Sequence, residues 1–195
     1  MSLQIQKVTA YSAVVTTAVA KTYLKQSYGT DTAEDDIVAS LVQGAHEYLE
    51  KLLNVSLTAD TTWKVLTDEP EDFIELELPH SPHTSITKVE GLDEEETATE
   101  LTLNSDYYKR GLDRYVLNFE SLGNSSGIPR GSITNYDTIK IEYVAGFTSV
   151  PEPIKTALLQ IVAASYVNRG DGQMTLTIPE KAKQLALPYR VAPWI

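Results

Sequence analysis

The chain has 195 residues, enough for one compact domain that buries about 70% of the surface its unfolded form exposes, so no covalent staple is required. It contains no cysteine, which excludes a disulfide framework and every thiolate metal site. The net charge of −11 is concentrated in residues 60–120, where 16 acids stand against 5 bases, and repulsion from phosphates makes that third a poor nucleic-acid binder.

The predicted elements begin with a short helix, Ala18 to Gln26, capped by Thr17 and stopping before Tyr28-Gly29. The preceding stretch ends in Ala18-Val19-Ala20, a small-residue pattern like a signal cleavage site. Lys7 is the only base ahead of it, and Thr9, Tyr11, Ser12, Thr16 and Thr17 break up the apolar run, so it is not read as a signal peptide. A second helix is placed at Ala33 to Leu53. Asp31 or Thr32 caps it, Glu34, Asp35 and Asp36 complement its positive end, and Ile37, Leu41, Ala45, Tyr48 and Leu52 mark its apolar face.

From Thr61 to Phe147 the period changes from helical to alternating, and the segments become short and bounded by Pro, Gly, Asn or Asp. The strands are placed at Thr62 to Leu66, Phe73 to Leu78, Ser85 to Glu90, Tyr115 to Phe119 and Thr138 to Val144. In the second of these, Phe73, Glu75 and Glu77 point one way and Ile74, Leu76 and Leu78 the other, so one face is buried. Pro79-His80-Ser81-Pro82 then turns the chain, because neither proline can donate a ladder hydrogen bond.

Pro151 and Pro153 suit the first turn of a third helix ending near Asn168, with Gly170 available as a left-handed cap. Its apolar residues cover most of its circumference, which predicts the most buried helix and one that packs on the second. A last helix, Pro179 to Ala186, is stopped by Pro188. Helices, then strands, then helices predict an α+β fold in a single domain over residues 1–195. A helical core at 16–58 and 148–191 carries an inserted antiparallel β-sheet lobe at 60–147. No stretch approaches the roughly 20 apolar residues of a membrane helix, and no membrane partner is expected.

Candidate chemistry is sparse. His46 and Glu50 share a helix face, but the second histidine of a zincin motif is replaced, which leaves a surface histidine with an acid one turn away. His80 and His83, near Glu75 and Glu77, are read as solvated turn histidines in preference to a weak metal site. Asp93 to Glu96 lacks the glycine and alternating ligands of a calcium loop and reads as an acidic hairpin tip. No phosphate loop, dinucleotide fingerprint or nucleophile elbow occurs, so no catalytic residue, metal or cofactor is assigned. A hydrolase would have to draw on Glu75, Glu77, Asp93 and Glu96, and it ranks last. The C-terminal third instead mixes aromatic, arginine and apolar residues in the manner of an interface: Tyr166, Arg169, Tyr189, Arg190, Trp194 and Ile195.

In their order and spacing, Val19 to Leu24, Asp35 to Ile37, Ala45 to Glu50, Ile139 to Phe147, Val150 to Ala157 and Leu187 to Arg190 resemble the bacteriophage head-tail connector family, also described as head completion or adaptor proteins. The likeness runs from about Thr16 to Val191. It begins with Val19-Ala20-Lys21-Thr22-Tyr23-Leu24, Asp35-Asp36-Ile37 and Ala45-His46-Glu47-Tyr48-Leu49-Glu50, and continues through Trp63, Ile74 to Pro82, Ser85 to Val89 and Tyr107. Its more specific half is Ile139 to Phe147 leading into Val150 to Ala157, then Tyr166-Val167-Asn168-Arg169 and Leu187-Pro188-Tyr189-Arg190. Ala186-Leu187 stands where a Leu-Leu pair is common, and the sheet is unusually acidic.

The resemblance implies a structural protein of the virion, assembled in the host cytoplasm. It would be a subunit of a homo-oligomeric ring, commonly dodecameric, at the head-tail junction. The implied partners are the portal protein and the tail or a further completion protein, with DNA passing through the ring without specific binding. The alternative is a β-rich phage binding module contacting a host surface or another tail protein, which would need an exposed aromatic groove on the sheet.

Overall fold

The computed structural model describes residues 3–24, 32, 34–68, 75–119, 136–168 and 178–192. The chain divides into two compact units, a β unit of residues 1–10, 59–146 and 193–195 and a helical unit of residues 11–58 and 147–192.

The β unit contains β1 (Leu3–Lys7), β2 (Thr61–Asp68), β3 (Glu75–Glu77), β4 (His83–Leu92), β5 (Ala98–Glu100), β6 (Tyr108–Arg110), β7 (Val116–Asn118) and β8 (Thr138–Ala145). These strands pair antiparallel, in a five-stranded sheet ordered β1-β2-β8-β4-β5 and a three-stranded sheet ordered β3-β7-β6. The strict alternation of β2 and β8 sets their faces. Trp63 lies opposite Tyr143 and Val65 opposite Ile141 on the buried side, while Lys64 lies opposite Glu142 on the other and pairs with it at 2.9 Å. The buried rows join Leu76, Leu117 and Phe119 in one apolar cluster. On β4, Gly91 meets the Tyr136 ring, and a Cβ there would lie 2.4 Å from it, so only glycine lets the ring sit against the strand. Three strands escape the sequence pattern: β1, β5 and β6. Each is short, and their residues are mostly exposed, so no apolar alternation marks them.

The helical unit contains α1 (Thr17–Tyr23), α2 (Asp35–Leu53), α3 (Glu152–Val167) and α4 (Glu180–Ala186), followed by a 3-10 turn at Leu187–Tyr189 that includes Pro188. Thr16, not Thr17, caps α1: its hydroxyl accepts the Val19 N–H at 3.3 Å. For α2 the residue before the first turn is Glu34, which makes no side-chain cap, and the Thr32 carbonyl accepts the Asp35 N–H at 3.0 Å. Asp31, Ala33 and Gly170 lie outside the described residues.

The apolar face of α2 is rotated by one residue from the predicted one. Val38, Val42, Ala45, His46, Leu49 and Leu53 are buried, whereas Ile37 is 46% exposed. Two apolar stripes one position apart run along this helix and merge at Ala45; packing selects the stripe that meets α3. α3 packs against α1, α2 and α4, and buries Ile154, Ala157, Leu158, Ile161 and Val162. Small residues such as Ala157 allow the close approach of α2 and α3. After the 3-10 turn, the Val191 N–H bonds the Leu53 carbonyl at 2.8 Å and ties the chain to the end of α2. Among the described residues no helix is long and apolar enough to cross a membrane.

Candidate functional site

His46 is not on the surface. It is fully buried on α2, with Nε2 3.2 Å from the Glu50 carboxylate, itself buried, and its ring meets Tyr11 edge-on at 5.1 Å. The rotated face of α2 puts it there. The same Glu50 oxygen accepts the Leu57 N–H at 2.9 Å, so the carboxylate closes the turn that follows the helix. Burial, followed by the charges of Glu47 and Glu50, pushes the Tyr11 phenol up. This is a structural triad inside a helical core.

Of the two histidines of the turn, His83 is buried and His80 half-buried, so neither is the freely solvated side chain expected. The Tyr115 N–H donates to His83 Nδ1 at 2.9 Å, which leaves the proton on Nε2, and Nε2–H donates to the Pro79 carbonyl at 2.9 Å. Both ring nitrogens are therefore satisfied in the neutral form, and burial holds the His83 pKa below the ordinary histidine value. His80, at φ 59°, stacks on Trp63 with 3.8 Å between ring centroids. Tyr143 donates to the Pro79 carbonyl at 2.8 Å, and its burial pushes its phenol up. A ring nitrogen committed to a backbone group has no lone pair to offer a metal, and among the described residues no group of three His, Asp or Glu side chains is arranged to hold one.

The carboxylates are occupied as well. Arg110 pairs with Glu75 at 3.0 Å, and Arg114 Nε donates to Glu77 at 2.8 Å. Lys140 at 2.8 Å and then Lys88 at 2.6 Å hold the Glu90 carboxyl below its usual range. At the β4–β5 turn the Asp93 carboxylate accepts the N–H groups of Glu95 at 3.2 Å and Thr97 at 2.7 Å. Glu75 and Glu77 face arginines and do not converge on a pocket.

Of the six residues proposed as an interface, Tyr166 is half-buried and its hydroxyl donates to the Glu34 carboxylate. Tyr189 is half-buried against the helical core, and Arg190 is exposed. Arg169, Trp194 and Ile195 lie outside the described residues. The structure gathers Tyr166 and Tyr189 at the helical core without making them a single patch.

Two features escaped the sequence reading. The first is a groove of about 360 Å³ lined by Ala18, Val19, Thr22, Tyr23 and Leu159, nearly all apolar, between α1 and α3. Val19 is 50% exposed and Tyr23 43%. Their spacing of four on one helix was the available signal. The second is Leu112, 91% exposed between β6 and β7. It sits in Arg110-Gly111-Leu112-Asp113-Arg114, where one apolar residue among charged ones was legible as an exception. Gly111 has φ +90°, and a Cβ there would lie 1.8 Å from the Arg114 carbonyl oxygen, so the turn demands glycine. The Asp113 carbonyl accepts the His83 N–H at 2.8 Å, and the Tyr115 hydroxyl donates to the Thr84 carbonyl at 2.7 Å, which brace the far side of the turn.

No family model and no curated protein matches the sequence. Solved structures do. Over 98% of this chain and 97% of the other, it superposes on a chain from the neck of an empty gene transfer agent particle, computed with C6 symmetry, at TM-score 0.76 and 19% identity. The chain has the fold of a neck component of gene transfer agent particles. A second neck, of the native particle computed with C12 symmetry, matches at TM-score 0.67, and a chain of the native virion at 0.74, each at 18% identity and the same coverage. Nearly complete coverage in both directions means that both units of this neck fold have counterparts there; neither is an appendage.

Proposed function

We propose that the chain is a head-tail adaptor, a structural subunit that forms a ring between portal and tail in a tailed bacteriophage or a particle of that kind. The observation that carries this reading is the full-length match of both units to a chain from a particle neck, at an identity too low for anything but the fold to have been compared. The groups that would serve catalysis point the same way, since in the β unit His83 is engaged by backbone and Glu75, Glu77 and Glu90 by arginine or lysine. The rival binding module needed exposed aromatics on the sheet, and among the described residues the exposed large apolar side chains of the β unit are aliphatic.

The adaptor works by assembly. A ring needs two different patches that meet head to tail and close, and a portal can act as template for that closure. An acidic surface holds phosphate weakly, which suits a channel through which DNA passes without being retained. The C-terminal segment, beginning with Tyr189 and Arg190 and continuing to Trp194 and Ile195, is the proposed contact with portal or tail. The test is deletion of the gene from the genome that carries it, followed by electron microscopy. Filled heads without tails, restored by the wild-type protein, are the expected result. Tailed particles in its absence would overturn the adaptor reading, and tails restored as fully by a protein lacking residues 193–195 as by the wild type would overturn the C-terminal contact.

A further inference from the structure

We propose that the β1 edge of the five-stranded sheet pairs in parallel with the β5 edge of a neighbouring copy, an inference that rests on the ring reading above. β1 and β5 are the outer strands of that sheet, and among the described residues no further strand pairs with either. An edge presents a row of N–H and C=O groups to any extended chain, and proteins that keep an edge solvated blunt it with proline, charge or a bulge. From Leu3 to Gln6, β1 has no proline and no charge, and its register with β2 runs without a shift. Its apolar residues are open to water as well, Leu3 being 40% and Ile5 42% exposed.

Hydrogen-bond phase and side-chain face select the occupant. The Val8 N–H donates to the Thr62 carbonyl at 2.9 Å, so Gln6 and Gln4 also face β2, and the N–H and C=O of Leu3 and Ile5 point away from the sheet. At the other edge the Leu101 N–H donates to the Val89 carbonyl at 2.8 Å; Thr99 therefore faces β4, and the backbone groups of Ala98 and Glu100 point outward. Leu3 and Thr99 share a face, because the row from Leu3 runs through Thr67, Ile139 and Gly91 to Thr99 on the buried side of the sheet. In a parallel pair each residue bonds the two neighbours of the residue opposite it. Ile5 opposite Thr99 of the next copy thus donates to the Ala98 carbonyl and accepts the Glu100 N–H, the two residues whose groups point outward. The buried faces of the two sheets then coincide. Antiparallel pairing would set Ile5 against Ala98 or Glu100 and turn one sheet over. Direction agrees: in five strands each antiparallel to the next, β1 and β5 run the same way, and rotation about a ring axis preserves that direction. One chain so carries the two unlike patches that head-to-tail closure requires, whereas a strand of another protein has no reason to match both phase and face.

The chain has no native cysteine, so a cross-link reads the pairing directly. Ile5→Cys and Thr99→Cys are combined in one chain and oxidised in assembled necks. The expected result is a ladder of disulfide-linked multimers that collapses on reduction, whereas Ile5→Cys with Ala98→Cys, on opposite faces, gives only traces. Proline provides the second test. Ile5→Pro removes an outward N–H, which an edge strand tolerates, and Gln6→Pro removes one that faces β2. Ile5→Pro should keep the wild-type melting curve and lower incorporation into particles by about tenfold, the scale of one lost backbone bond with its partner stranded. Gln6→Pro should lower the melting temperature. Necks that contain the Ile5→Cys, Thr99→Cys chain and give no ladder, or a folded Ile5→Pro protein incorporated normally, would overturn the edge pairing; should Ile5→Pro fail to fold, the cysteine pair decides alone. If the wild-type protein itself is missing from the neck, the ring reading falls, which is a different outcome from intact rings whose β1 and β5 edges do not cross-link.

Discussion

The β unit carries twice the acidic residues of the helical unit, 18 against 9, with 8 basic residues in each. Yet it is the helical unit that buries a charged side chain beside a histidine, Glu50 with His46, inside an otherwise aliphatic core. The β unit pairs its charges across strands, Lys64 with Glu142, Lys140 with Glu90 and Arg110 with Glu75, and buries a histidine whose two nitrogens are both bonded to backbone. Aliphatic packing thus holds one unit, and satisfied polar geometry contributes heavily to the other. The first should respond most to lost volume and the second to lost hydrogen-bond partners and to pH.

The largest effect is expected in the helical unit. Leu158→Ala removes a fully buried side chain between α3 and its neighbours and should cost about 2 to 5 kcal/mol by urea denaturation. A loss below about 0.5 kcal/mol would mean that the aliphatic core does not carry this unit. Next comes His83→Leu, close in volume but unable to accept from Tyr115. The stranded N–H should cost about 1 to 3 kcal/mol, since Pro79 keeps the Tyr143 hydroxyl while Tyr115 keeps nothing for its amide. If His83→Leu is neutral in the same denaturation assay, the polar half of the comparison fails.

His83 also predicts a pH dependence. Its folded pKa lies below the ordinary value of 6.5, so the folded chain binds fewer protons than the unfolded one once the pH drops under that value. Stability is then fully present above about pH 6.5 and falls as the pH moves down toward the depressed folded value, by at most about 1.4 kcal/mol per pH unit for one proton. Melting curves between pH 7 and pH 5 should show this slope, and His83→Leu should remove it. A slope unchanged in the variant would assign the effect elsewhere. The smallest effect is expected for Arg110→Ala, because both partners of the Arg110–Glu75 pair are more than half exposed; the loss should stay under about 1 kcal/mol and shrink in added salt. A larger loss than for His83→Leu would invert the ranking of buried over exposed polar contacts.

Much of the secondary structure was legible in the residues themselves. β2 and β8 alternate so regularly that their faces follow from the pattern, and Pro151 and Pro153 at the start of α3 and Glu34, Asp35 and Asp36 at the start of α2 mark where those helices begin. β1, β5 and β6 were not legible, because strands of three to five mostly exposed residues carry no apolar alternation. The candidate interface was legible only as composition. Tyr166 proved to be engaged by Glu34, across 132 positions of sequence, and Leu112 was passed over because a single leucine in a turn has no periodicity to announce it.

Local sequence determined the kinds of element and their order, because helix and strand periods, caps and prolines act over a few residues and are written in those residues. Tertiary structure decided which of two neighbouring stripes of α2 turns inward, and with it whether His46 meets water or Glu50. It also decided that His83 is neutral and doubly bonded, and that Leu159 of α3 completes a groove begun by Val19 and Tyr23 of α1. These outcomes depend on contacts between residues far apart in the chain, and burial and hydrogen-bond satisfaction exist only once those distant partners have met.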